Sequence, residues 1–384
     1  MRYSAIQRKL AKVDRALEKA IDSSETSGAV VLACMHRDNE WLTHESVRGL
    51  AVAKPERIPM TRQTVFDLAS LTKPIATTTS IMLLESEGNL SIDDPVAKYL
   101  PTFSERGKQE VTLRHLLTHS SGLKPWRGFH ELLIDKERKK GERLIATSAG
   151  RDFIIDRVLR SSLVHKPGEA AVYGDLNFIV LGEVIKAVSG ESIEDFCSTQ
   201  LFGPLGLTKT RYRACFENTS CIPGDEKATT AATEECAWRD RVLWGEVHDP
   251  NAYAMGGVAG HAGLFAPADD VMRFGKIVLD TWHDRSDLLP REVLRKFLER
   301  QSVPKGSDWA LGWDTPSAIS SSSGQYFSNR SVGHLGFTGT SLWIDLENEV
   351  IVVFLSNRIH LVSKKSHYGL RPKIHDLIIE AFRS

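Results

Sequence analysis

The chain has 384 residues, 41% of them hydrophobic and 26% charged, with 28 Gly and 15 Pro; this composition buries a core and excludes an intrinsically disordered protein. Lysine plus arginine count 49 and aspartate plus glutamate count 49, so no whole-chain charge draws the protein to nucleic acid or anionic lipid. The five cysteines, Cys34, Cys197, Cys215, Cys221 and Cys236, are odd in number and lack any Cys-x-x-Cys pair, which argues against a disulfide framework and a thiolate metal site and predicts free thiols.

In residues 1–23, Ile6, Leu10, Val13, Leu17 and Ile21 recur at helical spacing among charges of both signs. This pattern predicts an amphipathic helix packed on the body rather than a signal peptide. No run approaches the roughly 18 apolar residues of a membrane span, so a cytoplasmic protein without a membrane span is expected. Residues 28–36 and 41–49 read as strands around a polar turn at 37–40, a hairpin. Helical patterning follows at 75–87, 112–118, 150–161, 176–188 and 192–200, predicting an inserted lobe. Residues 217–249, polar and with little periodicity, and the serine-rich 317–328 read as loops. Residues 341–346 and 350–356 flank a turn at Glu347 and Asn348 as a second hairpin, and Ile374, Leu377, Ile378 and Phe382 share one face of a final helix.

Together these elements predict an α/β (α+β) fold in which an antiparallel sheet is flanked by terminal helices. Residues 1–74 and 265–384 would form a discontinuous α/β region. Residues 75–264 would supply an all-helical lobe with cleft-lining loops, and the functional site would lie at the junction.

The sharpest local signal is Phe66-Asp67-Leu68-Ala69-Ser70-Leu71-Thr72-Lys73-Pro74, where an apolar strand-like run meets a helix start. One helical turn separates Ser70 from Lys73, so the amine can reach the hydroxyl and help it act as a nucleophile. Taken alone, the same spacing also fits a capping serine and a solvated lysine.

Three further segments stand in register with it. These are Val111-Thr112-Leu113-Arg114-His115-Leu116-Leu117-Thr118-His119-Ser120-Ser121-Gly122-Leu123, then Pro167-Gly168-Glu169 with Tyr173-Gly174-Asp175-Leu176-Asn177, and His334-Leu335-Gly336-Phe337-Thr338-Gly339-Thr340 before a strand. In order and spacing the set resembles the serine beta-lactamase and penicillin-binding protein superfamily, in particular its class C and carboxylesterase-like branch, over about residues 28–382. The resemblance implies a beta-lactamase-like fold and an acyl-enzyme mechanism without a cofactor or metal. Ser70 would be the nucleophile, Lys73 and Tyr173 would manage the proton, and the N–H groups of Ser70 and Phe337 would form the oxyanion hole. Gly336 would let substrate approach the strand edge closely.

Two positions depart from the family pattern. Asp175 stands where the family's Tyr-x-Asn has asparagine, and His334 replaces the lysine of Lys-Thr-Gly, which weakens a fixed charge for a substrate carboxylate. Asp175 would stabilise protonated Lys73 and leave Tyr173 as proton acceptor, given a phenol perturbed by nearby cations.

The stretch 238–265 is dense in Gly, His and Asp. His248, Asp249 and His261 fit a metal set poorly, since their spacing matches no standard zinc pattern; a glycine turn lining the cleft and satisfied core histidines are the other readings. With 337–345, this block resembles a cytosolic subgroup tied to cell-wall sugar recycling, whose members are implicated in cutting the amide between N-acetylmuramic acid and L-alanine. That resemblance implies a small-molecule substrate, a muropeptide or an ester, with Asp175, His334, Gly336, His248, Asp249 and His261 as substrate contacts. A carboxylesterase, a D-amino-acid peptidase or weak beta-lactamase, and a non-catalytic binding module on the same scaffold are the alternatives. Trp126, Trp244, Trp309 and Trp313 either stack on a sugar or pack in the core.

Overall fold

The computed structural model describes residues 2–216, 224–360 and 369–383. Its strands are, in chain order, β1 (Gly28–Arg37), β2 (Glu40–Val52), β3 (Ile58–Pro59), β4 (Val65–Asp67), β5 (Arg211–Tyr212), β6 (Ala232–Cys236), β7 (Arg241–Trp244), β8 (Leu264–Pro267), β9 (Ser331–Leu335), β10 (Ser341–Asp345) and β11 (Val350–Ser356). The six-stranded sheet runs β3-β2-β1-β11-β10-β9, so the two ends of the chain meet at its centre. The β1–β11 pairing is antiparallel, with Val31 opposite Phe354.

Strand β1 is a continuous apolar run because both of its faces are covered. Ala29, Val31, Ala33 and Met35 face a layer built from Ile6, Leu10, Val13 and Leu17 of helix Arg2–Asp22 and Ile374, Ile378 and Phe382 of helix Leu370–Phe382. Val30, Leu32 and Cys34 belong to the larger cluster on the opposite side. There helix Ala268–Trp282 lies on the sheet, so close that a Cβ at Gly275 would stand 3.0 Å from Ile351 Cγ2.

The span 75–264 holds helices Thr79–Ser86, Ser148–Leu159 and Asp175–Ser189, as the periodicity suggests, and helix Phe129–Lys140, which it did not mark. It also holds strands. Residues 217–249, read from sequence as a loop, contain the β6–β7 hairpin, and β5 joins β4 and β8 in a three-stranded sheet. The hairpin was hidden because its alternation is broken by a register shift between Ala232 and Glu235. Cys34, Cys197 and Cys236 are free and buried. Cys215 is disulfide-bonded, which corrects the expectation of free thiols throughout, and Cys221 lies outside the described residues. Among the described residues no helix is long and apolar enough to cross a membrane.

Candidate active site

The small sheet carries the serine. Antiparallel pairing of β4 with β8 sets Asp67 opposite Phe265, and Leu68 N–H donates to Leu264 O at 2.9 Å. The chain then turns sharply at Ala69, whose φ of +47° is a strained left-handed conformation for a residue with a Cβ. Asp67 holds that turn by accepting the Ala69 N–H at 2.8 Å, and Thr72 Oγ1 donates to Ala69 O at 2.6 Å. Ser70 sits in the 3₁₀ turn Ala69–Leu71, and Lys73 opens a wide π-type helical turn, Lys73–Thr78, that leads into helix Thr79–Ser86. Pro74, which has no N–H, stands at the start of that widened turn, and Thr79 Oγ1 donates to the Pro74 carbonyl at 2.9 Å.

Ser70, Lys73, Tyr173 and Asp175 converge. Lys73 Nζ lies 2.8 Å from Ser70 Oγ, 2.8 Å from Tyr173 Oη, 2.7 Å from Asp175 Oδ1 and 3.2 Å from the His261 carbonyl oxygen. Tyr173 Oη donates to Ser70 Oγ at 2.7 Å. Burial of Lys73 disfavours its ammonium, but the charge of Asp175 and then Tyr173 outweigh burial, so its pKa is raised and the amine stays protonated. Burial also raises the Tyr173 phenol, Lys73 pulls the other way, and the net direction is up. Asp175 thus lies where it can stabilise a Lys73 ammonium, while the Tyr173 phenol shifts up rather than down beside its neighbouring cation.

The Thr118–Gly122 turn positions the tyrosine. Val172 N–H donates to His119 O at 2.9 Å and Gly174 N–H to His119 Nδ1 at 3.2 Å. The His119 ring, its pKa well below the ordinary value through burial and then Lys73, packs 4.8 Å from the Tyr173 ring. Asp175 begins helix Asp175–Ser189, so that its side chain projects from the first turn.

The third-motif segment closes the other side. His334 is buried on β9, opposite Leu342, and donates through Nδ1 to Leu335 O at 2.8 Å. Burial, then the Lys73 charge, pushes its pKa down to about 3, so the imidazole is neutral and Nε2 is an acceptor without a partner among the described residues. Gly336 lines the cavity and also has a packing role. A Cβ there would fall 1.9 Å from Thr340 Oγ1 and 2.6 Å from Leu68 O, so the glycine lets this turn pack on the serine's own loop. Thr338 Oγ1 and Thr340 Oγ1 complete that seam by donating to Asp67 O at 2.8 Å and Leu68 O at 3.0 Å.

Buried His261 and half-buried Asp249 form a pair, Nε2 to Oδ1 at 2.9 Å, beside the lysine. Burial raises the Asp249 carboxyl, but His261 and the Ala252 N–H outweigh it and hold the group below the ordinary carboxylate range. Ligand atoms of Asp175, Asp249 and His261 lie within 4.8 Å of one another, yet the Lys73 ammonium already neutralises Asp175. His248 is not part of that cluster; its ring stacks on Phe337 at 5.3 Å and its N–H donates to Asp67 Oδ2 at 2.7 Å.

Ser70, Tyr173, Asp175, His261, His334 and Phe337 line a cavity of about 690 Å³, behind which Lys73 is buried, and the cavity also takes in Trp126, Trp309, Asp314, Ser322, Arg358 and Arg371. Of the four tryptophans weighed from sequence, Trp126 and Trp309 line it, whereas Trp244 and Trp313 are buried. Sequence reasoning missed Asp67, His119 and Asp314. For Asp67 a signal existed, a lone carboxylate inside the apolar run Val65-Phe66-Asp67-Leu68.

A family model described as Beta-lactamase matches residues 13–371. A protein of Escherichia coli (strain K12), named "Putative D-alanyl-D-alanine carboxypeptidase", is 29% identical over 384 aligned residues, covering 92% of this chain and 83% of that protein. Among solved structures, EstCE1, "a hydrolase with promiscuous acyltransferase activity", superposes with a TM-score of 0.72 at 20% identity over 99% of both chains. A class C beta-lactamase from Rhodobacter sphaeroides gives 0.69 at 21% identity over 97% of this chain and 99% of that one. At such identities the two structures show a shared fold.

Proposed function

Because the chain belongs to the beta-lactamase family, a family of serine hydrolases, we propose that it hydrolyses an amide or ester through an acyl-enzyme on Ser70. The observation that carries this reading is a single oxygen, Ser70 Oγ, held within 2.8 Å of both Lys73 Nζ and Tyr173 Oη on the wall of a large cavity. In the reactive form the Lys73–Tyr173–Asp175 cluster has lost one proton and accepts that of Ser70 as Oγ bonds to the carbonyl carbon. The tetrahedral oxyanion is received by the N–H groups of Ser70 and Phe337. As the C–N or C–O bond breaks, the same cluster returns the proton to the leaving group. Water then repeats the sequence on the acyl-enzyme, releasing the acid and freeing Ser70. Residues 1–74 with 265–384 act in this reading as one discontinuous α/β region, and 75–264 as the lobe that brings Tyr173 and Asp175.

The finer reading is a cytoplasmic amidase on the N-acetylmuramoyl-L-alanine bond of cell-wall fragments. Support comes from the aromatic surfaces of Trp126, 47% exposed, and Phe337, 57% exposed, which suit a sugar ring, and from Asp249, His248 and His261 on the same wall. The name of the Escherichia coli relative suggests a carboxypeptidase instead, but the neutral His334 offers no charge for a terminal carboxylate.

The test is mass spectrometry of the intact protein after incubation with N-acetylmuramoyl-L-alanyl peptide, a simple aryl ester and a beta-lactam, alongside Ser70→Ala. An adduct on Ser70, and turnover that Ser70→Ala abolishes, are the expected results. Unchanged turnover by the variant rejects the mechanism, and an ester adduct without release of the peptide's amine rejects the amidase reading alone.

A further inference from the structure

The cavity wall beyond His334 carries a carboxylate that the mechanism does not use. Asp314 pairs through its backbone with Gly333 on β9, donating N–H to O at 2.8 Å and accepting at 2.9 Å, so it extends the sheet edge next to the third motif. Ser322 Oγ donates to Asp314 Oδ2 at 2.9 Å. Among the described residues no ion pair engages Asp314, and the cation that bears on it, Arg300, is itself paired with Asp308 at 3.1 Å. Burial pushes the Asp314 carboxyl up to about 6, with the Ser322 bond opposing, which leaves it charged at neutral pH.

The other charges of the wall are committed within the protein. Asp175 faces Lys73 and Asp249 faces His261. Arg371 Nη1 donates to Gly336 O and Thr340 O at 2.9 and 2.8 Å, and Arg358 Nη2 donates to Phe337 O at 2.6 Å. His334 is neutral. An ionised carboxylate in a largely apolar, aromatic cavity without its own cation is costly unless a ligand supplies one.

Resting on the serine-hydrolase reading, we propose that Asp314 is a specificity-determining residue that receives an ammonium group of the substrate, and that the site selects against substrates bearing a carboxylate at that position. The preference is one of charge sign, set locally by Asp314 with Ser322 beside a neutral His334, the Arg358 and Arg371 guanidiniums of the same cavity being turned onto the carbonyls of Phe337, Gly336 and Thr340.

Two matched series test it. One carries the charge on the acyl part: the p-nitrophenyl esters of glycine, N-acetylglycine and succinate. The other carries it on the leaving group: acetylthiocholine, its uncharged 3,3-dimethylbutyl isostere and S-acetylthioglycolate. The wild-type enzyme is expected to show its highest kcat/KM on the ammonium member of at least one series. Asp314→Asn and Asp314→Ser, each checked for wild-type circular dichroism, should cut that preference about tenfold or more, the loss of a charge-assisted contact. Equal rates across the charges, a preference for the carboxylate, or an ammonium preference that survives both substitutions overturns the assignment. Turnover that persists in Ser70→Ala overturns the parent reading and this one with it, a result distinct from Ser70-dependent turnover without charge preference.

Discussion

Ser70 Oγ accepts hydrogen bonds from both Lys73 and Tyr173, so the cluster as it stands holds one proton too many for attack. Lys73 and Tyr173 both have raised pKa values, and the form with one proton fewer therefore accumulates as pH rises. For an uncharged ester, kcat/KM should climb from about pH 6 to about pH 9. A flat or falling profile over that range would contradict this proton inventory. Asp175 is the largest influence raising Lys73. Asp175→Asn should accordingly move the rising limb down by about one to three pH units, read from the pH dependence of kcat/KM. Tyr173→Phe removes the second contact to Ser70 and should cost about 10²–10⁴-fold in kcat, with binding of substrate much less affected. His334→Ala should retain part of the activity, since the neutral imidazole supplies no charge.

Elements place these side chains through close backbone approaches. The loop before β8 presses Gly260 against helix Asp175–Ser189, where an added Cβ would stand 2.1 Å from Phe178 O and 3.0 Å from Gly182 N. Thr77 Oγ1 donates to Gly260 O at 2.6 Å from the serine's own helix, so this glycine joins the two elements that carry Ser70 and Asp175. Gly260→Ala should destabilise the protein by about 1–3 kcal/mol in urea unfolding and lower ester turnover as well, because the helix bearing Asp175 must shift. Wild-type values of both would show that the contact is not structurally demanding. The β1–β2 and β10–β11 hairpins and the terminal helices were legible in the sequence, because burial on both faces makes β1 a continuous apolar run and burial on one face gives Leu10, Val13 and Leu17 a helical period. Ser70 and Lys73 were legible through their spacing, while Tyr173 and Asp175 came only through resemblance. Asp314 carries no such mark, being a single polar residue in an aperiodic segment, and His119 lies in a segment that carries the resemblance but is not singled out there among its polar neighbours. The widened turn at Lys73–Thr78 was illegible for another reason, since Pro74 reads equally well as an ordinary first helical turn. Helix Ala268–Trp282 is a different case, because its buried Val271, Phe274, Val278 and Leu279 recur at readable helical spacing.

Across the whole molecule the sheet separates the terminal-helix layer from the side that carries the candidate site, and Arg371 links the two. Leu17 is fully buried in the terminal-helix layer and touches nothing at the site. Arg371 belongs to the same layer, in helix Leu370–Phe382, yet its guanidinium reaches past the sheet edge to the carbonyls of Gly336 and Thr340. These carbonyls bracket the turn that presents Phe337. Two substitutions in one layer should thus differ in kind. Leu17→Ala should lose about 2–5 kcal/mol of stability, read from the urea midpoint, while kcat/KM for an aryl ester measured below the unfolding transition stays at its wild-type value. Arg371→Ala removes one of the two donors at each carbonyl, leaving Gly339 N–H on Gly336 O at 3.1 Å and Gly336 N–H on Thr340 O at 2.7 Å, and loosens the third-motif turn, so it should lower kcat more than the urea midpoint would suggest. A loss of activity in Leu17→Ala matching its loss of stability, or full activity in Arg371→Ala, would mean that the far layer acts on the site as a body rather than through this one guanidinium.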